Sequence, residues 1–283
     1  MAVTIPPQPA PIDKAYKPKV SIVKLPTTAS IEDILAIIDR DGGVILENFA
    51  TAAELEAVDQ DVEAYKRAHP EQTNTGIPIL PKETYSVPGL VGQSDTVAKF
   101  CEHPVLEQLR TTILQERFVA RREGVEEHNV VDPLLSISIT FHIRYGAPRQ
   151  RLHRDDNIHG IRHPVPLEKA SQFGCLIAGC KTTRENGATM FVPGSHKWDD
   201  EREPRLDELC FAEWGAEMEP GSALVFLASC YHGGGHNSVP DFVRKVHGLF
   251  FCRGTMRTEE NQFLAIPRSK VMGMSPKMLS LLG

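Results

Sequence analysis

A chain of 283 residues has room for one large domain or two small ones, and a hydrophobic fraction of 41% with 24% charged residues is that of an ordinary soluble globular protein. A formal net charge of −6 leaves no global basic field to recruit nucleic acid or anionic lipid. No apolar run reaches the ~18 residues needed to span a bilayer.

Residues 1–29 are rich in proline and weakly periodic, without the apolar stretch of a secretory signal, and read as an extended arm ahead of a single domain over 30–283. Without a secretory context the six cysteines, Cys101, Cys175, Cys180, Cys210, Cys230 and Cys252, are expected as free, mostly buried thiols in a reducing compartment, most simply the cytoplasm. Cys175 and Cys180 have no second close pair, so a structural zinc site is not expected.

Ser30 has the character of a helix N-cap, with Ile31, Ile34, Leu35 and Ile38 on one face and Gly42-Gly43 as the stop. A short buried strand follows at Val44-Ile-Leu46. Thr51-Ala-Ala-Glu54 is a capping box opening a second helix to about Ala68. Prolines at 70, 78, 81 and 88 make 69–92 a long loop and candidate lid. A third helix is expected over 95–118, with Val97, Phe100, Cys101, Val105, Leu106, Leu109 and Ile113 as its apolar stripe.

From Leu135 the period changes. Residues 136–143 alternate polar and apolar, the mark of a half-buried strand, and 173–178, 188–192, 223–227 and 243–252 also read as strands. Asn186-Gly187, Pro193-Gly194, Pro220-Gly221 and Gly233-Gly-Gly235 punctuate them. With no βαβ alternation and no internal repeat, the order of helices then strands predicts an α+β, mainly β chain. The expected form is a β-sandwich or open barrel backed by N-terminal helices, and a jelly roll of that kind has an interior wide enough for a ligand.

One pattern carries chemistry. Two imidazoles and one carboxylate can occupy one face of an octahedral metal and leave the other open. In His153-Arg-Asp155 both ligating side chains fall on one side of an extended segment. His232, before three glycines that allow close backbone approach, is a candidate third ligand, with His236 as its nearest competitor. Arg244 lies at a spacing suited to anchoring an acidic cosubstrate, with Lys245 as the fallback. His196 reads as a turn or supporting residue. His142, His159, His163 and His247 have no partner legible in the sequence, and 156–168 is a candidate for the substrate mouth.

Gln150-x-x-His153-x-Asp155, Glu185-Asn-Gly-Ala-Thr189, Pro193-Gly-Ser-His196, Pro220-Gly221, His232-Gly-Gly-Gly235 and Arg244, in this order, resemble the phytanoyl-CoA dioxygenase (PhyH) family. The resemblance runs from about Ile31 into the C-terminal region and is closest to fungal members that tailor natural products. It implies a double-stranded β-helix (jelly roll, cupin-like) core. Fe(II) would be held by His153, Asp155 and His232. Gln150, Thr189 and Arg244 would bind the cosubstrate 2-oxoglutarate, with O2 as oxidant and succinate and CO2 released. Related halogenases have a small residue where this chain has Asp155, so oxygenation or its variants is the expected outcome. The substrate would be a hydrophobic small molecule such as a terpenoid, meroterpenoid or alkaloid, undergoing hydroxylation, desaturation, epoxidation, endoperoxidation or rearrangement. A homodimer is expected by the same resemblance, with the N-terminal arm or a helix at 275–283 crossing over. The competing readings are a redox-neutral zinc-type hydrolase or lyase on the same ligands, which has no use for Arg244, and a non-catalytic jelly-roll binding protein.

Overall fold

The computed structural model describes residues 21–70, 80–204 and 217–283. Strand β1 (Lys24–Pro26), helix α1 (Ile31–Asp41) and strand β2 (Gly43–Glu47) come first, with β1 parallel to β2. This is one β-α-β unit in a chain expected to have none, since a three-residue strand is too short to show a period. The Ser30 hydroxyl accepts from the Asp33 N–H at 3.1 Å and begins α1. Gly42, left-handed at φ 80°, ends it by donating its N–H to Ile38 O at 2.7 Å. Ile34 and Ile38 are buried, with Ile31 and Leu35 packed beside them.

Helix α2 (Ala52–Ala68) opens on a complete capping box: Thr51 accepts from the Glu54 N–H, and Glu54 accepts from the Thr51 N–H at 2.8 Å. Thr51→Ala is expected to lower stability by about 1 kcal/mol without changing activity, measurable as a shifted urea midpoint at constant m.

Two sequence expectations fail next. The loop predicted over 69–92 contains strand β3 (Thr84–Pro88) and a turn of helix, α3 (Leu90–Gln93), while 71–79 lie outside the described residues. Pro88 is tolerated because β3 is an edge strand, paired only with β6 (Leu134–Ile143). The single helix predicted over 95–118 is three pieces and part of a strand. Helix α4 (Asp95–Cys101) stops before His103, whose ring accepts the Val105 N–H at 3.3 Å as cap of α5 (Pro104–Leu109). A wide turn at Arg110–Leu114 leads into β4 (Glu116–Arg122), which forms a hairpin with β5 (Val125–Val131). Pro104 forces the break, because its ring disfavours helical backbone at the residue before it. The hairpin reverses at Glu123 (φ 50°) and Gly124 (φ 85°), a pair of left-handed residues suited to a tight hairpin.

The remaining strands are β7 (Gln172–Ala178), β8 (Met190–Phe191), β9 (Ala223–Leu227), β10 (His232–Gly233) and β11 (Arg244–Cys252). The seven-stranded sheet runs β1-β2-β9-β7-β11-β6-β3 and is antiparallel apart from its first pair. Opposite it a short second layer pairs β8 with β10, and an isolated bridge adds His153 beside His232. This is a jelly roll with one broad and one abbreviated sheet, backed by helices. The strand predicted over 188–192 shrinks to β8.

The main core fills the space between the broad sheet and the helices, with Phe173, Phe251, Leu249, Ile34, Val58 and Leu106 buried. Each such side chain contributes on the order of 1.5–3 kcal/mol by burial. Helices α6 (Gln262–Ala265), α7 (Arg268–Val271) and α8 (Pro276–Leu282) follow β11, and α8 buries Met278, Leu281 and Leu282 in this same core. The apolar face of the helix expected to cross to a partner is thus covered by its own chain.

β6 keeps the alternation expected over 136–143. Its polar residues Ser138, Thr140 and His142 are buried, whereas Ile137, Ile139, Phe141 and Ile143 line a cavity between the two layers. Ser138 satisfies its hydroxyl by accepting from the Val91 N–H at 3.0 Å, and Thr140 bonds the His247 ring at 2.9 Å. Its apolar side thus faces the cavity.

Cys101, Cys175, Cys230 and Cys252 are buried free thiols and Cys180 is a half-buried one, while Cys210 lies outside the described residues. Among the described residues, no helix is long and apolar enough to cross a membrane.

Candidate metal centre

The bridge between the layers sets the site. The His153 N–H donates to His232 O at 2.9 Å and the His232 N–H returns to His153 O at 3.0 Å, while the Asp155 N–H is held by Ala228 O at 2.9 Å. His153, Asp155 and His232 consequently offer ligand atoms within 4.8 Å of one another. Among the described residues this is the one His/Cys/Asp/Glu cluster with such spacing.

Both imidazoles are oriented from behind. His153 Nδ1 lies 2.8 Å from Arg151 O and His232 Nδ1 lies 3.0 Å from Cys230 O. A carbonyl only accepts, so each Nδ1 carries the proton and each Nε2 presents its lone pair. Those Nε2 atoms point at Asp155: His153 Nε2 is 3.4 Å from Oδ1 and His232 Nε2 is 3.4 Å from Oδ2. Burial alone would push the Asp155 carboxyl up, but the adjacent imidazoles of His232 and His153 hold it well below the usual carboxylate range. For His232, burial acts to lower the pKa and adjacent Asp155 overrides it, leaving it raised. His153, Asp155 and His232 would hold a divalent cation among these facing groups.

The triad opens into a concave cavity walled largely by apolar side chains, the usual character of a small-molecule site. Gln150, Thr189 and Arg244 line it with the triad. Arg244 is 2% exposed, and its Nε and Nη1 have no hydrogen-bond partner among the described residues. Burial pushes its pKa down to about 10. An orphaned guanidinium facing a cavity suits a carboxylate ligand, which accepts the fork in a paired, charge-assisted geometry. Lys245, next along β11, points to the other side and pairs with Asp59 at 2.5 Å. Gln150 Oε1 accepts the Gly234 N–H at 2.5 Å, and its backbone N–H donates to Gly234 O at 2.8 Å, which fixes the first of the glycines beyond β10. Thr189 is buried at the cavity wall. The donor set thus fits a facially bound metal with a chelating keto diacid beside it.

His236, the competitor for third ligand, turns away to bond Ala147 O at 2.9 Å. His196 donates its Nε2–H to Asp39 O at 3.0 Å and so ties its turn to α1. The 156–168 segment, expected at the substrate mouth, contributes nothing to the cavity lining. Asp156 is wholly buried and bonds His163 Nε2 at 3.1 Å, while His163 Nδ1 reaches Asp200 at 2.6 Å. Burial works to lower the His163 pKa, yet the two carboxylates raise it, so the ring is an imidazolium clamp rather than a gate. Arg154 stacks over Tyr231 at 4.4 Å and donates to Ser195 O and Trp198 O, bracing the ligand segment from the other side. His142 and His247 are buried behind the sheet, their pKa values pushed down by burial to about 4 and about 3, and both are neutral. Sequence reasoning missed Glu259, which reaches the cavity from beyond β11. No motif surrounds it, and only the path of the chain brings it there.

The phytanoyl-CoA dioxygenase (PhyH) family model matches residues 38–246. A "Dioxygenase swnH1" of Metarhizium robertsii is 55% identical over 278 residues, covering 97% of this chain and 89% of the relative. "Dioxygenase swnH2" of Arthroderma benhamiae is 45% identical, covering 96% and 87%. "Dioxygenase peniF" of Penicillium patulum is 32% identical, covering 90% and 83%. Among solved structures, HygX from Streptomyces hygroscopicus with nickel and 2-oxoglutarate bound superposes with a TM-score of 0.58 at 14% identity, covering 80% of this chain and 88% of that one. The epimerase SnoN from nogalamycin biosynthesis, described as non-haem and α-ketoglutarate-dependent, gives 0.56 at 20% identity, covering 87% and 92%. At these identities the two structures speak to the fold. Taken with the family match, the chain belongs to the phytanoyl-CoA dioxygenase family, as a non-haem Fe(II)- and 2-oxoglutarate-dependent dioxygenase that uses O2.

Proposed function

We propose that this enzyme oxidises a hydrophobic small-molecule natural product, of the terpenoid, meroterpenoid or alkaloid kind, and that His153, Asp155 and His232 hold its iron. Gln150, Thr189 and Arg244 receive 2-oxoglutarate. The observation that carries this reading is Arg244, a buried cation whose Nε and Nη1 have no hydrogen-bond partner among the described residues, in the same cavity as the triad. A hydrolase or lyase on the same three ligands has no use for it, and a binding scaffold has no use for either.

Iron bound with 2-oxoglutarate and O2 supplies the oxidising power, with succinate and CO2 released as the substrate is oxidised. The chain's own residues supply placement. The Arg151 and Cys230 carbonyls fix both imidazoles. Arg244 pairs with the far carboxylate of the keto diacid and so sets its approach. Ile137, Phe141, Leu176 and Phe250 form a dry wall facing the metal, which suits a largely apolar substrate and keeps water from the reacting centre.

The test is anaerobic addition of Fe(II) and 2-oxoglutarate to the purified protein. The expected result is the weak visible charge-transfer band of the iron chelate, absent when Zn(II) replaces Fe(II). A wild-type protein that gives no band overturns the reading.

A further inference from the structure

The ligands sit in the layer with the fewest backbone bonds. The broad sheet is fixed by seven strands, whereas the short layer pairs two residues of β8 with two of β10 and adds one bridge from His153 to His232. So short a ladder leaves the ligand directions to be set by side chains. The turn at Ser195–Asp200 supplies them without lining the cavity. Ser195 Oγ accepts from the N–H of Tyr231, the residue before His232, at 2.8 Å. Ser195 O accepts from Arg154, which stands between His153 and Asp155, at 3.0 Å. At the other end of the turn Asp200 Oδ1 accepts from His163 Nδ1 at 2.6 Å and from Arg154 Nη1 at 3.3 Å. His163 Nε2 bonds Asp156, the residue after Asp155, at 3.1 Å, and the Ser171 hydroxyl donates to the same carboxylate at 3.2 Å. Arg154, Asp200, His163 and Asp156 therefore form a circuit that closes through the backbone of Asp155.

Carboxylates accept and do not donate, so an imidazole bonded to two of them carries a proton on each nitrogen. The circuit then contains two cations and two anions. It is neutral as a whole, and what it transmits to the ligand segment is direction rather than charge. Stability does not account for it. Arg154, Asp156 and His163 are buried, and apolar residues in place of a buried ion network are often neutral or stabilising. Charge-assisted hydrogen bonds differ from apolar packing in fixing geometry. Asp200 is the member of the circuit at the surface, its side chain 37% exposed, and a substitution there leaves no cavity in the core.

We infer that Asp200 is a positioning residue for the metal centre: through Arg154 and His163 it holds the chain on both sides of Asp155 and so sets how tightly the iron is retained. This rests on His153, Asp155 and His232 being the iron ligands.

The experiment loads the protein anaerobically with Fe(II) and titrates it with a colour-forming ferrous chelator, so that iron affinity is read by competition. Co(II)-loaded protein gives a second readout, a visible d–d spectrum that follows ligand geometry. Asp200→Ala is expected to weaken iron binding by roughly tenfold or more, the scale of losing an outer partner of a metal ligand. It should also shift the Co(II) spectrum, while the metal-free protein melts within a few degrees of wild type. His163→Gln, whose side-chain oxygen accepts rather than donates, opens the circuit on one side and should do the same. Asp200→Asn removes the same charge as alanine but keeps the oxygen that Arg154 and His163 share, and should restore most of the affinity. Unchanged iron affinity in either Asp200→Ala or His163→Gln, an unshifted Co(II) spectrum, a loss in Asp200→Asn as large as in Asp200→Ala, or a melting temperature that falls with the affinity overturns the proposal. A wild type that takes up no stoichiometric iron overturns the ligand assignment and this proposal with it; normal uptake with unchanged affinity in the variants overturns this one alone.

Discussion

Asp155→Ala is expected to lower turnover by roughly a thousandfold or more, because a metal centre supplies several kcal/mol of stabilisation and each factor of ten corresponds to about 1.4 kcal/mol. The loss should come from the metal and not from the fold. Asp155 is only half-buried, and its structural bond, N–H to Ala228 O at 2.9 Å, is made by the backbone and survives the substitution. Both imidazoles also keep their carbonyl partners on Arg151 and Cys230. What disappears is the only anionic ligand, leaving two neutral imidazoles with lone pairs converging on an empty position. The variant should therefore retain its circular dichroism spectrum and its melting temperature within a few degrees, yet hold no stoichiometric iron after gel filtration and show no chelate band. Unchanged iron content with normal turnover would remove Asp155 from the site. A collapsed melting transition would mean that its role is structural.

The parts of this site that were legible in the sequence share a property: each is dictated locally. His153 and Asp155 are two apart, and their common side follows from an extended backbone. Ser30, Gly42, Thr51 and Glu54 mark helix ends because the cap bonds are made within a few residues. Strands β7, β9 and β11 were visible because they are central and apolar. The failures depend on position in the whole. β3 was hidden because its proline, Pro88, is tolerated only at an edge, and no sequence announces which strand is the edge. The periodicity of β6 gives a face and not what the face meets, and only the fold turns its apolar residues to the cavity. Glu259 has no signature at all. It is held by Gln172 and Ser136, each more than 80 residues away in the chain.

Arg244→Met should separate binding from stability in opposite directions. In the protein without 2-oxoglutarate the guanidinium is 2% exposed with Nε and Nη1 unpartnered. A buried cation in that state is a liability: replacing such charges by apolar residues of similar volume is often stabilising, by roughly 1–4 kcal/mol. Burial has moved the Arg244 pKa down to about 10 from an ordinary 12.5. Below pH 10 the side chain is protonated in folded and unfolded chains alike, and the penalty is present in full. It is relieved only as pH rises past about 10, where the folded state sheds the proton first. At neutral pH, then, Met should raise the melting temperature of the cosubstrate-free protein by a few degrees. The same change removes the paired donors for the far carboxylate, and truncating one partner of a buried charge pair costs roughly 2–5 kcal/mol. The apparent KM for 2-oxoglutarate should rise about a hundredfold or more, and the thermal stabilisation that 2-oxoglutarate gives the wild type should vanish. Iron binding by His153, Asp155 and His232 should be untouched, which distinguishes a lost anchor from a disrupted centre. Arg244→Lys, which keeps the charge but not the planar fork, should fall between the two in affinity. If Arg244→Met binds 2-oxoglutarate normally, the keto diacid is seated elsewhere in the cavity. If it melts lower than wild type, the guanidinium is satisfied by the protein itself, and its apparent isolation was not a vacancy awaiting a carboxylate.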